Sequence, residues 1–188
     1  MVVIKKANIL MMKIIEGIKI GDNVVIDGKG YTIDGSAIAR VFNIIADNVT
    51  LKNINFINCY SYNDGGAIYS EGSFTVVDCS FVGCMAVNGG AICSLAGEGS
   101  NSYLSVSGCS FVNCNSSGDG DSWGGAIWSY GSLSVVGCSF VNCSAISDGD
   151  SWGGAIYSES DNCSVSGCSF VGCSANGGGA IWSYGSLY

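Results

Sequence analysis

The stretch WGGAIWSYGSLSVVGCSFVNC, residues Trp123–Cys143, decides the fold because edited copies of it recur along the chain. Each full copy joins a Gly-Gly-Ala-Ile tetrad to a later Cys-Ser-Phe-Val run. Repeats in a fixed order, spaced by 24 to 35 residues here, are typical of solenoids. We therefore interpret the stretch as one coil of a parallel β-helix. The tetrads begin at Gly65, Gly89, Gly124, Gly153 and Gly178.

Each coil contains three short apolar runs, which Gly, Ser and Asn separate as turn residues separate strands. In the central copy the runs are Ala126–Ser129, Leu133–Val135 and Cys138–Val141. Because side chains alternate between the two faces of a strand, Ile, Leu, Val, Cys and Phe are expected to point inward and the Ser of Cys-Ser-Phe-Val outward. The sequence predicts an all-β protein, a parallel β-helix of about six coils. We expect it to be right-handed, as about 98% of parallel crossovers are.

The first 22 residues do not match the repeat, and we expect residues 1–22 to form a small cap on a β-helix of residues 23–188.

All seven basic residues lie within residues 1–52, whereas residues 53–188 contain ten acidic and no basic residues. An acidic body repels phosphate backbones, which argues against a nucleic-acid partner. We expect no membrane span, since no run reaches about 18 apolar residues. No signal peptide is recognisable.

Eleven cysteines in a chain of this size favour an oxidising, extracellular or cell-surface location. Aligned coils place nine of them in two inward columns, with Cys93 and Cys163 outside. Neighbours in a column should have Cα atoms about 4.8 Å apart, which allows coil-to-coil disulfides. Buried thiols that stay reduced are the alternative. The columns are Cys79, Cys109, Cys138, Cys168 and Cys59, Cys84, Cys114, Cys143, Cys173.

The tetrads and the Phe-containing runs resemble the repeats of polymorphic outer-membrane proteins and of archaeal adhesin-like surface proteins. Those families pair a G-G-A-x element with an F-x-x-N element, and the resemblance covers residues 23–188. It implies a right-handed parallel β-helix at a cell surface, and it says little about activity. The chain differs in one respect: where the families have Asn three residues after Phe, it has Cys, as at Cys114 and Cys143.

Two similar acidic turns are candidates for a cation site. Asp119 should stack near Asp148 in the next coil, and Asp121 near Asp150. Four close carboxylates repel one another unless a cation shares them, and calcium accepts such ligands. The alternative is a pair of solvated Asp-Gly turns. No other cofactor is expected.

A column of outward aromatic residues alternates with the inward isoleucines at Tyr69, Trp128, Tyr157 and Trp182. An exposed aromatic stripe could bind glycans or a neighbouring surface. The alternative is that the rings stack within the molecule and shield the sheet.

The sequence predicts no enzyme. It has no His, and its repeats have no Lys or Arg, so an acid–base constellation is missing beyond the turn aspartates. Some polysaccharide-cleaving enzymes have this fold, but a shared fold alone does not indicate that this chain has their activity. The last copy stops at Tyr188 before its third strand, and we expect an open strand edge there to pair with another chain.

Our first hypothesis is therefore a structural β-solenoid that self-assembles head to tail into a filament, sheath or coat. The positive N-terminal segment would meet the acidic C-terminal end. The second is an adhesin-like module that binds glycans or host surfaces, and the third is an enzyme that degrades polysaccharides.

Overall fold

The computed structural model describes residues 2–3, 16–95 and 102–188, with side chains in the last two ranges. Within these ranges the chain is all-β, and no helix is long and apolar enough to span a membrane. The strands are β1 (Val2–Val3), β2 (Ile18–Ile20), β3 (Val25–Asp34), β4 (Phe42–Ile44), β5 (Val49–Ile57), β6 (Ile68–Ser70), β7 (Phe74–Val77), β8 (Ser80–Val82), β9 (Met85–Ala86), β10 (Ile92–Ser94), β11 (Tyr103–Ser107), β12 (Ser110–Val112), β13 (Asn115–Gly118), β14 (Ser122–Trp123), β15 (Ile127–Ser129), β16 (Ser132–Val136), β17 (Ser139–Val141), β18 (Ser144–Ser147), β19 (Ser151–Trp152), β20 (Ile156–Ser158), β21 (Cys163–Ser166), β22 (Ser169–Val171) and β23 (Ile181–Ser183).

The strands pair in parallel, each with the equivalent strand of the coil before and after it. The first strands of the coils form one sheet in the order β2-β4-β6-β10-β15-β20-β23. The second and third strands share a larger sheet because the long β5 pairs with both β7 and β8. The prediction of a parallel β-solenoid is confirmed, with about five turns rather than six. The middle coils add short strands to the predicted three, and these form the small sheets β18-β13-β9 and β14-β19.

The solenoid begins earlier than the sequence indicated. Strand β2 already pairs with β4, with Ile18 opposite Phe42. The first sheet therefore extends into the region that was expected to form the cap. Residues 4–15, most of that expected cap, lie outside the described residues.

A column of five phenylalanines forms the centre of the core: Phe56, Phe81, Phe111, Phe140 and Phe170. Neighbouring rings stack almost parallel, with centroids 4.7–4.8 Å apart. This separation is the spacing of paired strands, so one ring per coil fills the core without a gap. The first four rings are fully buried. The inward direction that period-two alternation predicted for Phe is confirmed.

The backbone geometry of the turns explains why each tetrad contains a Gly-Gly pair. Gly124 has a φ of +63°, a left-handed conformation that glycine adopts without steric cost. A side chain on Gly125 would overlap the carbonyl oxygen of Gly154 and the backbone of Ser144. The two glycines therefore allow a sharp turn and a close approach between successive coils, which explains their recurrence.

We predict that Phe111→Ala lowers the free energy of unfolding by about 3–5 kcal/mol, because it leaves a ring-sized cavity inside the stacked column. Urea unfolding followed by circular dichroism measures the change. Tyr130→Ala, at a ring that is 52% exposed, is the matched control and should change the free energy by less than about 0.5 kcal/mol. Equal losses in the two variants would contradict a central role for the column.

We also predict that Gly125→Ala is strongly destabilising, whereas Gly120→Ala is close to neutral. A Cβ at Gly125 meets backbone atoms that cannot move without shifting a coil, whereas a Cβ at Gly120 meets no atom within 4 Å. The measurement is the thermal midpoint of each variant. If Gly125→Ala kept the parent midpoint, the close approach would not be a constraint.

Candidate functional site

The predicted aromatic column exists, but it is not an open surface. Trp128 pairs in register with Tyr157, and Tyr157 with Trp182. Trp128 and Tyr157 are only 8% and 7% exposed. At these two positions the stripe is buried, whereas Tyr69 and Trp182 are partly exposed. The alternative of rings that stack within the molecule describes the centre of the column. The aromatic cluster, as we call it, comprises Tyr69, Cys93, Leu95, Trp123, Trp128, Trp152, Tyr157 and Trp182.

Two further tryptophans, which the sequence analysis missed, cover this column. Trp123 lies 5.4 Å from Trp128 and 5.9 Å from Tyr157, between ring centroids, and Trp152 lies 5.6 Å from Trp182. Each follows an acidic turn and returns the chain over the sheet. The sequence contains a motif that could have identified these two tryptophans, since both stand directly before a Gly-Gly pair as Ser-Trp-Gly-Gly. The cluster is thus a second hydrophobic core outside the coil interior.

The four turn aspartates do not converge on a common point. Strands β14 and β19 pair in register beside them, and one carboxylate oxygen of Asp121 accepts a hydrogen bond from the amide of Asp150 at 3.0 Å. All four side chains are exposed: Asp119, Asp121, Asp148 and Asp150. Among residues 16–95 and 102–188, no three His, Cys, Asp or Glu side chains are placed to hold a metal ion. The geometry supports solvated turns rather than a calcium site.

The Asp121 bond is one case of a wider pattern in the turns. Asp22 accepts the amide of Asp47 at 3.0 Å, and Asp47 accepts the amide of Ser73 at 2.7 Å. In each case a carboxylate binds a backbone N–H about one coil further along the chain. These acidic residues therefore fasten successive turns together, a structural use of charge that requires no bound ligand.

The cysteine columns form as predicted, but no disulfide joins them, because all eleven cysteines are free thiols. The side chains of a column point in the same direction, so each sulfur meets backbone groups of the adjoining coils. The amide of Cys79 donates to Sγ of Cys109 at 3.4 Å, and the amide of Cys109 donates to Sγ of Cys138 at the same distance. Sγ of Cys109 in turn donates to the carbonyl of Ser107 at 3.2 Å. Spacing alone permits cross-links, but side-chain direction favours packing.

Cys93 and Cys163, outside the columns, are also buried thiols. Burial raises the pKa of Cys93 well above its ordinary value, and it raises the pKa of Cys114, Cys163 and Cys168 in the same direction. In these four cysteines the thiol is therefore favoured over the reactive thiolate at neutral pH. Hydrogen bonds from neighbouring thiols of the column act in the opposite direction at Cys79, Cys84 and Cys143, where they lower the pKa. Nine of the eleven cysteines are buried and pack as small apolar side chains.

Arg40, the single arginine of the chain, holds the first Gly-Gly turn in place. Its guanidinium donates to the carbonyl of Gly65 at 3.0 Å and to the hydroxyl of Ser61 at 2.9 Å. It also donates to the carbonyl of Asp64 and lies 4.9 Å from the ring centre of Tyr69. Because its donors bind backbone and hydroxyl oxygens in a buried position, Arg40 supports structure and is not offered to a substrate.

Comparisons of the chain with protein-family models, with curated proteins and with solved structures found no match. The assignment of function therefore depends on the chain's own geometry and on the motif resemblance described above.

We predict that thiol labelling distinguishes the two partly exposed cysteines from the rest. At pH 8, a disulfide reagent that releases a coloured thiolate should react early only with Cys168 and Cys173, because the other nine are buried. After unfolding in guanidinium without reductant, all eleven should react. A lower total would show that disulfides form in the protein, and fast labelling of Cys114 would show that the core opens.

Proposed function

We propose that this chain is a non-enzymatic structural protein of the extracellular or cell surface, a stiff β-solenoid that stacks end to end with further copies into a filament, sheath or coat. One observation carries the proposal: the same residue types occupy the same positions in successive coils. Any coil is therefore a template on which an equivalent coil can pair. The resemblance to surface-protein repeats supports the extracellular or cell-surface location. The cysteines do not add support, because all eleven are free thiols.

The last described strand of the larger sheet shows what such a contact would use. β22 has one neighbour in its sheet, β17. Phe170 stacks on Phe140 with centroids 4.8 Å apart and is otherwise partly exposed. A further coil with Phe at this position would continue both the strand pairing and the ring column, and the proposal assigns that place to a second copy.

The charge distribution supports a polar, head-to-tail arrangement. Residues 1–52 contain seven basic and five acidic side chains, and all later charged residues are acidic. Attraction between a positive end and a negative end favours association in one orientation over association between like ends. Such attraction weakens as salt screens it, so assembly should be faster at low ionic strength.

The proposal of a non-catalytic role has two supports. The chain has no histidine, the usual general acid or base near neutral pH. The carboxylates of Asp47 and Asp121 are exposed and bind backbone amides. Glycan binding through the column of Tyr69, Trp128, Tyr157 and Trp182 loses support because Trp123 and Trp152 pack against its rings.

We predict that the protein forms elongated assemblies, measured by sedimentation velocity and by electron microscopy, and that Val171→Lys reduces them. Val171 is 59% exposed on β22, and a charge beside an open edge opposes pairing. Val136→Lys is the matched control: Val136 is 46% exposed on the outside of β16, which has strands on both sides. A parent protein that stays monomeric at high concentration and low salt would refute assembly.

A further inference from the structure

Two exposed tyrosines, Tyr103 and Tyr188, border a groove on the outer face of the larger sheet. Tyr103 is 42% exposed and Tyr188 is 76% exposed. The groove between them has a volume of about 340 Å³. Its lining residues are Tyr103, Ser132, Leu133, Ser134, Asn162, Cys163, Ser164 and Tyr188.

The strand register fixes how these residues are arranged. Tyr103 lies opposite Ser132 on the next coil, and Cys163 pairs in turn with Leu133 and with Leu187. The two tyrosines therefore stand three strand spacings apart along the solenoid, about 14 Å. The backbone of Tyr188 is held on β21 by two hydrogen bonds, to Cys163 at 2.9 Å and from Val165 at 3.0 Å. Both aromatic borders are thus attached to the rigid sheet.

The groove combines apolar surface with a few polar groups and has no charged side chain. Leu133 and Cys163 point into the core, so the groove itself presents the hydroxyls of Ser132, Ser134 and Ser164 and the amide of Asn162. Ser132, Ser134 and Ser164 are partly exposed and Asn162 is exposed, so a ligand can reach their donors and acceptors.

We propose that this groove binds a short segment of a neutral saccharide. Serine hydroxyls and an asparagine amide both donate and accept hydrogen bonds, as sugar hydroxyls do. Tyrosine rings offer apolar faces that stack on the C–H faces of sugar rings while their hydroxyls stay in water. The volume lies at the lower end of the roughly 300–1,000 Å³ range of ligand sites.

Other classes of ligand fit the groove less well. No basic side chain lines it, so an anionic ligand would find no counter-charge. Residues 53–188 have no basic side chain, which disfavours nucleotides and acidic sugars. A protein interface generally needs a larger area than a groove lined by eight residues supplies.

The test is a titration of the full chain with cellotriose, chitotriose and mannotriose, followed by amide chemical shifts in heteronuclear NMR spectra. The Val171→Lys variant serves as the background, so that assembly does not affect the result. We expect saturable binding of at least one trisaccharide, with the largest shifts at Ser134, Asn162 and Ser164. Failure of assembly alone leaves this outcome unchanged, so the two proposals are tested separately.

Variants locate the site. Tyr103→Ala and Tyr188→Ala should each weaken binding by about threefold to tenfold, because each removes one stacking surface. Tyr62→Ala, which removes a ring that is 73% exposed elsewhere, should bind as the parent does. The proposal is overturned if none of the three sugars binds, if trigalacturonate binds equally well, or if the double variant Tyr103→Ala/Tyr188→Ala binds as tightly as the parent.

Discussion

Parallel pairing of like residues, coil over coil, is the constraint on which the rest of this structure depends. Once Phe111 lies on Phe140 at the spacing of paired strands, each neighbouring inward position must also lie on its equivalent. Each coil must then be flat enough to let the next approach, which is why Gly125 faces the backbone of the following coil without a side chain between them. The polar turns follow the same repeat, since carboxylates such as that of Asp47 bind an amide about one coil further on.

The coil architecture could be predicted from the sequence because the same pattern of apolar runs and turns is repeated in every coil. Period-two alternation within each run and repetition between runs both indicate which side chains point inward, and the Phe and Cys columns lie where these patterns place them. The cap could not be tested in the same way, since residues 4–15 lie outside the described part of the chain. The early start of the sheet at β2 was missed because Ile18–Ile20 lacks the tetrad that marks later coils.

The surface was harder to predict because it depends on contacts between segments that the repeat does not define. Outward Trp128 was correctly placed on the sheet, yet whether it meets water depends on the path of the turn that carries Trp123. Cysteine spacing similarly allowed disulfides, but the common direction of the side chains, with amides directed at sulfur, could not be derived from spacing. The groove beside Tyr103 combines residues from several coils, so no local motif in the sequence indicates it.

The equivalence of successive coils has a consequence for how such a chain changes over generations. Cutting the gene between one Gly-Gly turn and the next removes a whole structural unit, and the surfaces on either side of the cut still carry Phe opposite Phe and Ser opposite Ser. Unequal recombination between repeats can therefore shorten or lengthen the rod by whole coils while the residues that form the core stay the same. The length of the rod is, in this sense, a heritable quantity that varies in steps of one strand spacing.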